Sequence, residues 1–118
     1  MTRAAVAALA ALLLAGGLAV VLARLLGRSG SRASTLVSVL AQWLGAYAVW
    51  TFAGGLALRY GALTAYDGTL FAVMAVVLGV WQYRVRLAAG PERALAVFVG
   101  GQLAWLVVVA ARNGLFAP

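Results

Sequence analysis

The stretch ASTLVSVLAQWLGAYAVWTFAGGLAL, residues Ala33–Leu58, contains no charged residue. An α-helix needs roughly 20 residues to cross a hydrocarbon core of about 30 Å, at about 1.5 Å per residue. This stretch is therefore long enough to span a membrane. Ala4–Ala23 is a second such run, and the uncharged runs Gly68–Tyr83 and Ala94–Ala111 reach the required length with their polar flanks. The sequence predicts four transmembrane helices.

Composition indicates the same class. Of the 118 residues, 66% are hydrophobic and 9% are charged, whereas soluble proteins average about 25% charged residues. The runs lack the period-two alternation of membrane barrel strands, and helices satisfy their backbone groups internally. We expect an all-α integral membrane protein, one domain over residues 1–118, with four transmembrane helices in an up-down antiparallel bundle. The expected helices are approximately 4–26, 35–59, 65–86 and 91–112. A secretory signal peptide is the alternative for the first run.

Arginine supplies all nine positive charges, and two acidic residues leave a net charge of +7. The N-terminal tail, the second loop and the C-terminal tail carry one arginine each. The first and third loops carry six: Arg24, Arg28, Arg32, Arg84, Arg86 and Arg93. The positive-inside rule then places these two loops in the cytoplasm and both termini outside a cell membrane. We expect the six arginines to bind anionic lipid head groups and not nucleic acid. The Ala, Gly and Arg bias without lysine suggests a bacterial source.

The residue inventory excludes several chemistries. The chain has no cysteine, histidine or lysine, so disulfides, thiolate or imidazole ligation and Schiff bases are excluded. Its two acids, Asp67 and Glu92, fall at opposite membrane faces and cannot act as an acid–base pair. A proton-coupled antiporter of the small tetra-helical multidrug type needs a glutamate in its first helix, which is missing from Ala4–Ala23. We expect no catalysis and no required cofactor or metal, and a bound lipid, quinone or pigment stays open.

Two helix faces are candidates for binding a ligand or a partner. Trp43, Tyr47 and Trp50 recur at i, i+4 and i+7 in the second helix, with Gln42 beside them. Phe98, Gln102 and Trp105 repeat this spacing in the fourth helix. These faces suit an isoprenoid, a pigment, a quinone or an organic cation, and they also suit a packed core. Glutamines recur at Gln42, Gln82 and Gln102, and we expect Gln42 and Gln102 to pair if the second and fourth helices touch.

Two further patterns predict structure. The first helix carries small residues spaced by three or four, which favours close helix packing within the chain or against a partner subunit. These are Ala8, Ala11, Ala15, Ala19 and Ala23. Thr64 and Asp67 fit a helix-capping pattern at the start of the third helix. Pro91 fits the first position of the fourth helix, with Glu92 in its first turn.

Three functional hypotheses follow. The first is an accessory or assembly subunit that packs against a larger membrane complex, because small-residue faces are present and catalytic groups are missing. The second is an oligomeric channel or carrier for a small ion or a hydrophobic cation. The third is a pigment- or quinone-binding module. The expected partners are other membrane subunits or further copies of this chain.

Overall fold

The computed structural model describes residues 3–28, 30–57 and 65–112, with side chains described in residues 3–28, 30–53 and 68–112. The regular structure of these residues is four α-helices. They are α1 (Arg3–Leu26), α2 (Arg32–Ala57), α3 (Ala65–Ala89) and α4 (Pro91–Arg112). The prediction of an all-helical chain with four helices is confirmed, and each helix contains a segment long and apolar enough to cross a membrane.

The α1–α2 connection explains why α2 begins earlier than predicted. α2 starts at Arg32, three residues before the expected position. The Ser31 hydroxyl oxygen accepts a hydrogen bond from the Ser34 backbone N–H at 3.1 Å, which is the geometry of an N-cap. A serine immediately before Arg32 thus satisfies an amide of the first turn that has no partner within the helix.

The α3–α4 connection is a single residue, Gly90. Its φ of 95° lies in the left-handed region that glycine adopts without a Cβ penalty. The Gly90 carbonyl accepts the backbone N–H of Ala94 at 3.4 Å, so the same residue ends α3 and begins α4. α3 therefore continues to Ala89, three residues beyond the prediction, and Pro91 occupies the first position of α4 as expected. The predicted cap formed by Thr64 and Asp67 lies outside the described residues and side chains.

The helices pack in the cyclic order α1, α2, α3, α4. Each helix contacts its neighbours in this order, and α4 also contacts α1; the described residues make no close backbone contact across the α1–α3 or α2–α4 diagonal. Consecutive helices run antiparallel. In the α2–α3 pair, for example, Trp43 lies beside Gly79, and Tyr47, further along α2, lies beside Gly68, earlier on α3.

Side-chain size differs sharply between the helices. α1 contributes small residues to the interior: Ala8, Ala11, Ala15 and Ala19 are each 1% exposed, and Ala23 is half-buried. The large apolar residues of α1 point outward, with Leu13 75% exposed. The interior space left by the α1 alanines is filled by large side chains of α2, α3 and α4.

Gly101 on α4 is required for close approach in this core. A Cβ at this position would lie 2.7 Å from Trp43 Cη2 and 2.7 Å from Leu78 Cδ1. The leucine methyl group can move, but the indole ring is also held by a hydrogen bond from its nitrogen to the Gln82 side chain. The neighbouring Gly100 faces open space, with nothing within 4 Å of a Cβ.

We expect Gly101→Ala to lower the free energy of unfolding by about 1–3 kcal/mol, the usual cost of overpacking a core. Gly100→Ala is the matched control, and its higher helix propensity is expected to leave stability unchanged or raise it by up to about 1 kcal/mol. Reversible unfolding in detergent measures both. Equal effects of the two substitutions would contradict the packing described for Trp43.

Candidate functional site

The two predicted aromatic faces meet inside the bundle. Trp43, Trp50, Phe98 and Trp105 are all buried. The Trp43 and Phe98 rings, from the diagonally opposed helices α2 and α4, have centroids 5.0 Å apart and planes inclined at 62°. Edge-to-face pairs of this kind contribute about 0.5–1.5 kcal/mol beyond area burial. The two faces therefore fill the core between α2 and α4.

Phe71 on α3 completes this ring cluster. Its centroid lies 5.0 Å from that of Trp105 and 6.1 Å from that of Trp43. The centroid of the Tyr47 ring lies 5.8 Å from that of Phe71, but Tyr47 is 40% exposed. The third residue of the predicted α2 face thus lies at the surface while its neighbours Trp43 and Trp50 are inside.

A chain of hydrogen bonds links α3 to α2 and α1. The Trp43 indole N–H donates to Gln82 Oε1 at 2.9 Å, and Gln82 Nε2 donates to Gln42 Oε1 at 2.7 Å. Gln42 Nε2 donates in turn to Ser38 Oγ at 3.0 Å. The Ser38 hydroxyl donates to the Leu22 carbonyl oxygen in a longer bond of 3.4 Å. We call these four linked side chains, Trp43, Gln82, Gln42 and Ser38, the polar chain.

The indole sets the direction of the polar chain. An indole N–H can only donate, so the atom of Gln82 that faces it must be the amide oxygen. The Gln82 amide nitrogen must then face Gln42, whose oxygen accepts, and the Gln42 nitrogen is left to donate to Ser38. Every bond points the same way, an arrangement in which each bond polarises the next.

Gln102 belongs to a separate pair. Its Oε1 accepts the Trp50 indole N–H at 2.8 Å. The sequence suggested that Gln42 and Gln102 would pair if their helices touched, but α2 and α4 are diagonal, and each glutamine finds a different partner. In the Trp43–Phe98 and Trp50–Gln102 contacts, an indole of α2 reaches across the diagonal to α4.

Among the described residues, three buried polar side-chain atoms form no hydrogen bond. They are Thr51 Oγ1, Gln102 Nε2 and Trp105 Nε1. Gln102 and Trp105 are each 1% exposed, and leaving a buried donor unpaired costs about 1–3 kcal/mol. Because the Gln102 oxygen already accepts from Trp50, reversing the amide would leave the indole facing a donor. The α4 side of the core therefore carries more donors than acceptors.

A groove of about 590 Å³ runs along the outside of the bundle between α2 and α3. Its α3 wall combines the small residues Gly68, Ala72, Ala75 and Gly79 with the larger residues Phe71, Val76, Val80 and Tyr83. Its α2 wall contains large ones, namely Leu36, Leu40, Trp43, Leu44 and Tyr47. Trp43 Cδ1 and Nε1 lie 3.6 Å from the position of a Cβ on Gly79, so the indole edge lies against the backbone of α3. The groove is open on its outer side and its lining is almost entirely apolar.

The sequence singled out several of these residues as candidates for facing a ligand or a partner. Gln42, Trp43, Trp50, Gln102 and Trp105 are buried in contacts within the chain. The sequence selected neither Ser38 nor Gln82 as a site residue, although Ser38 and Gln42 stand at i and i+4 on one helix face. That spacing could have identified Ser38 as a hydrogen-bond partner of Gln42. The role of Gln82 depends on the packing of α3 against α2, and no pattern within α3 indicates it.

Comparison with protein-family models, with curated proteins and with solved structures found no match for this chain.

We expect Gln82→Leu to lower the free energy of unfolding by about 1–3 kcal/mol, because it leaves the Trp43 donor and the Gln42 acceptor unpaired. Combining it with Gln42→Leu should cost less than the sum of the single effects by about 0.5–1.7 kcal/mol. Unfolding in detergent measures this double-mutant cycle. Gln102→Leu lies in a separate pair and should add to Gln82→Leu within about 0.5 kcal/mol. Strict additivity in the first cycle would contradict the polar chain.

Trp105→Phe and Trp50→Phe form a second test, since both keep an aromatic ring and remove an indole N–H. The Trp105 N–H has no partner, so we expect its removal to be neutral or to stabilise the fold by about 1 kcal/mol. Trp50→Phe leaves Gln102 Oε1 without a donor and should destabilise by about 1–3 kcal/mol. If the two variants lost equal stability in thermal unfolding, ring size and not hydrogen bonding would explain the effect.

Proposed function

We propose that this chain is a multi-pass membrane protein that binds a molecule with one long apolar chain, of the isoprenoid, quinone or pigment type, in the groove between α2 and α3. Catalysis and a required cofactor or metal form no part of this function. The observation that carries the proposal is the size and lining of the groove. Insertion in a membrane is the premise, and the distribution of side chains supports it.

That distribution is the reverse of a soluble bundle. Leucine, valine and phenylalanine cover the outside, with Leu44 69%, Phe52 68% and Val76 66% exposed. The glutamines, by contrast, are buried. Soluble monomers rarely expose apolar patches of more than a few hundred Å², whereas lipid is a suitable solvent for this surface. Helices of 22 to 26 residues reach about 33–39 Å, which is enough to cross a hydrocarbon core.

The shape of the groove suits a long apolar chain. From Gly68 to Tyr83 the groove follows about 22 Å of α3. A polymethylene or isoprenoid chain can lie along this length. The volume also falls within the range of about 300–1,000 Å³ for small-molecule sites.

The lining agrees with this ligand class. The leucines and valines of the groove offer contact surface but no hydrogen bond, and Trp43 uses its only N–H on Gln82. Tyr47 and Tyr83 are the lining residues that carry a hydroxyl group. Burial of each methylene group contributes about 0.8 kcal/mol relative to water, but a membrane ligand gains little by leaving lipid. Selectivity must therefore come from the shape of the groove and from these two hydroxyl groups.

An accessory subunit is the second candidate, and the outer surface of α3 supports it. Val73, Val76, Val77 and Val80 are spaced by three, four and seven residues and are each more than half exposed. Valine side chains lose little rotamer freedom on packing, so this ridge suits a helix of a partner subunit or of another copy. A channel or carrier finds less support, because the ring contacts fill the described interior of one copy. A path for ions would have to lie between copies.

The orientation proposed from the sequence is retained. Arg86 donates to the Gly27 carbonyl oxygen at 3.3 Å, so the α1–α2 and α3–α4 connections lie at one end of the bundle. All six loop arginines are at that end. We propose that this end is cytoplasmic in a bacterial cell membrane, that the termini are outside, and that the exposed arginines contact anionic head groups.

We expect Ala72→Phe to fill the groove and to reduce the bound apolar molecule about tenfold, since a ring then occupies the space of the chain. Native mass spectrometry after extraction in mild detergent measures the bound fraction and its mass. Ala104→Phe is the matched control, because Ala104 is exposed on α4 and lies outside the groove.

Equal occupancy in the two variants, with both remaining folded, would overturn the assignment of the groove. The same spectra test the second candidate. A stoichiometric partner protein that is retained in both variants, with no apolar molecule in the unmodified chain, would favour the accessory subunit.

A further inference from the structure

The groove between α2 and α3 has two different ends. Leu36, its first residue on α2, and Tyr83, its last residue on α3, lie at the end where the α1–α2 and α3–α4 connections meet. We call this the Tyr83 end. At the opposite end, the Tyr47 hydroxyl lies 3.7 Å from the position of a Cβ on Gly68. A charged head group on a membrane ligand would lie at one of these ends, because an ionised group is costly in hydrocarbon.

Each wall of the groove continues into an exposed arginine at the Tyr83 end. Residues four apart are neighbours on the surface of a helix. On α2, Arg32 precedes the groove residue Leu36 by four positions, and on α3, Arg84 follows the groove residue Val80 by four positions. All four of these side chains are exposed. The apolar surface of each wall is therefore followed directly by a cationic side chain.

Neither of these two arginines has an ionic partner among the described residues. Arg86, by contrast, already donates to the Gly27 carbonyl oxygen. The acidic residue at this end of the bundle, Glu92, is on α4, which contributes no residue to the groove. Asp67 directly precedes Gly68 in the sequence, so the acidic residue of α3 belongs to the opposite end. The charges at the two ends therefore favour an anionic head group at the Tyr83 end.

The Tyr83 hydroxyl supplies a further donor at the same end. Tyr83 is half-buried and lines the groove. Its hydroxyl bonds to none of the described residues and is not one of their buried unpaired atoms, so it is free to bind a ligand. A phosphate monoester carries a charge of about −1.5 to −2 and three acceptor oxygens, which matches two guanidinium groups and one hydroxyl. A neutral hydroxyl or ketone head group would leave both cations without a counter-charge.

We infer that the groove selects single-chain lipids with a phosphate head group, which Arg84, Arg32 and the Tyr83 hydroxyl hold at the Tyr83 end. The inference rests on the proposed function, since it names the head group of the molecule that the groove binds. Hydrogen bonds from guanidinium to phosphate are charge-assisted and roughly twice as strong as neutral ones. Arg84 contributes more than Arg32, because Cα–Cβ bonds tilt toward the helix N-terminus, which is toward the groove on α3 and away from it on α2.

The experiment titrates hexadecyl phosphate and hexadecanol, which share a chain and differ in head group, into the full chain in maltoside detergent. Native mass spectrometry gives the apparent dissociation constants, and circular dichroism checks that each variant stays helical. We expect hexadecyl phosphate to bind about tenfold more tightly than hexadecanol, since a hydrogen bond to a charged group contributes that factor. Arg32→Gln combined with Arg84→Gln should remove this preference and leave hexadecanol binding unchanged.

Matched controls separate the head-group site from a general charge effect. Arg24→Gln combined with Arg93→Gln removes the same charge from exposed arginines of α1 and α4, outside the groove. This pair should change hexadecyl phosphate binding less than about twofold, because distant exposed charges are screened. Tyr83→Phe should weaken binding of hexadecyl phosphate, whereas Tyr47→Phe, at the opposite end, should not. Inorganic phosphate should not displace hexadecyl phosphate.

The outcomes distinguish the head group from the groove. If both ligands bound equally and Ala72→Phe weakened both, the groove would stand as proposed and the phosphate inference would be overturned. If Ala72→Phe left tight binding of hexadecyl phosphate unchanged, the proposed function would fail and the inference with it. Equal losses in the two arginine pairs would indicate a diffuse charge effect, and displacement by inorganic phosphate would indicate a site for the free ion. Either result would overturn the inference.

Discussion

Leaving a buried polar group without a partner costs free energy, and the packing of α2 against α3 depends on the partners that the polar chain supplies. This effect is clearest at the indole of Trp43, which can donate a hydrogen bond but cannot accept one. Its N–H reaches Gln82 on α3, and the orientation of Gln82 then determines those of Gln42 and Ser38. One donor with no alternative thereby fixes the polar contacts among three helices. A shift of α3 along α2 by one turn, about 5.4 Å, would break this chain.

The Trp43 indole also holds α2 and α3 apart on their outer side. Its edge lies against the backbone of α3 at Gly79 while its far end reaches α4 at Gly101. A side chain of this size between α2 and α3 keeps the two helices from closing along their outer faces, and the small residues of α3 do not fill the space. The groove that we propose as a ligand site therefore results from the packing of Trp43 in the core. On the opposite side, the alanines of α1 allow α1 and α2 to approach closely.

Helix existence was predictable because it depends on local properties of the chain. Uncharged runs of sufficient length, a glycine and a proline between α3 and α4, and serines before α2 are all visible as sequence patterns. The errors at the ends of α2 and α3 were three residues each and came from the connections. Ser31 is the cap of α2, and a single glycine proved enough to connect α3 to α4. The cap of α2 and the α3–α4 connection both depend on backbone geometry, and more than one serine or glycine near each position could have adopted it.

The aromatic and glutamine faces were visible in the sequence, but their partners were not. Periodicity placed Trp43, Tyr47 and Trp50 on one face, yet Tyr47 is at the surface, because the face spans the boundary between the core and the groove. The pairing of Gln42 with Gln82 and of Gln102 with Trp50 required knowledge of which helices are neighbours and which are diagonal.

The sequence by itself determined the number of helices, their apolar surface, the position of the arginines and the absence of cysteine, histidine and lysine, because each of these depends on residue type and on spacing along one helix. Only the tertiary structure decided which polar atoms pair, where the groove lies and which arginine is turned inward. Those properties depend on the rotation and the axial position of each helix relative to the others. They are set by contacts between residues roughly 40 to 60 positions apart, as in the pairs Gln42–Gln82 and Gly27–Arg86, and no local pattern in the chain records such contacts.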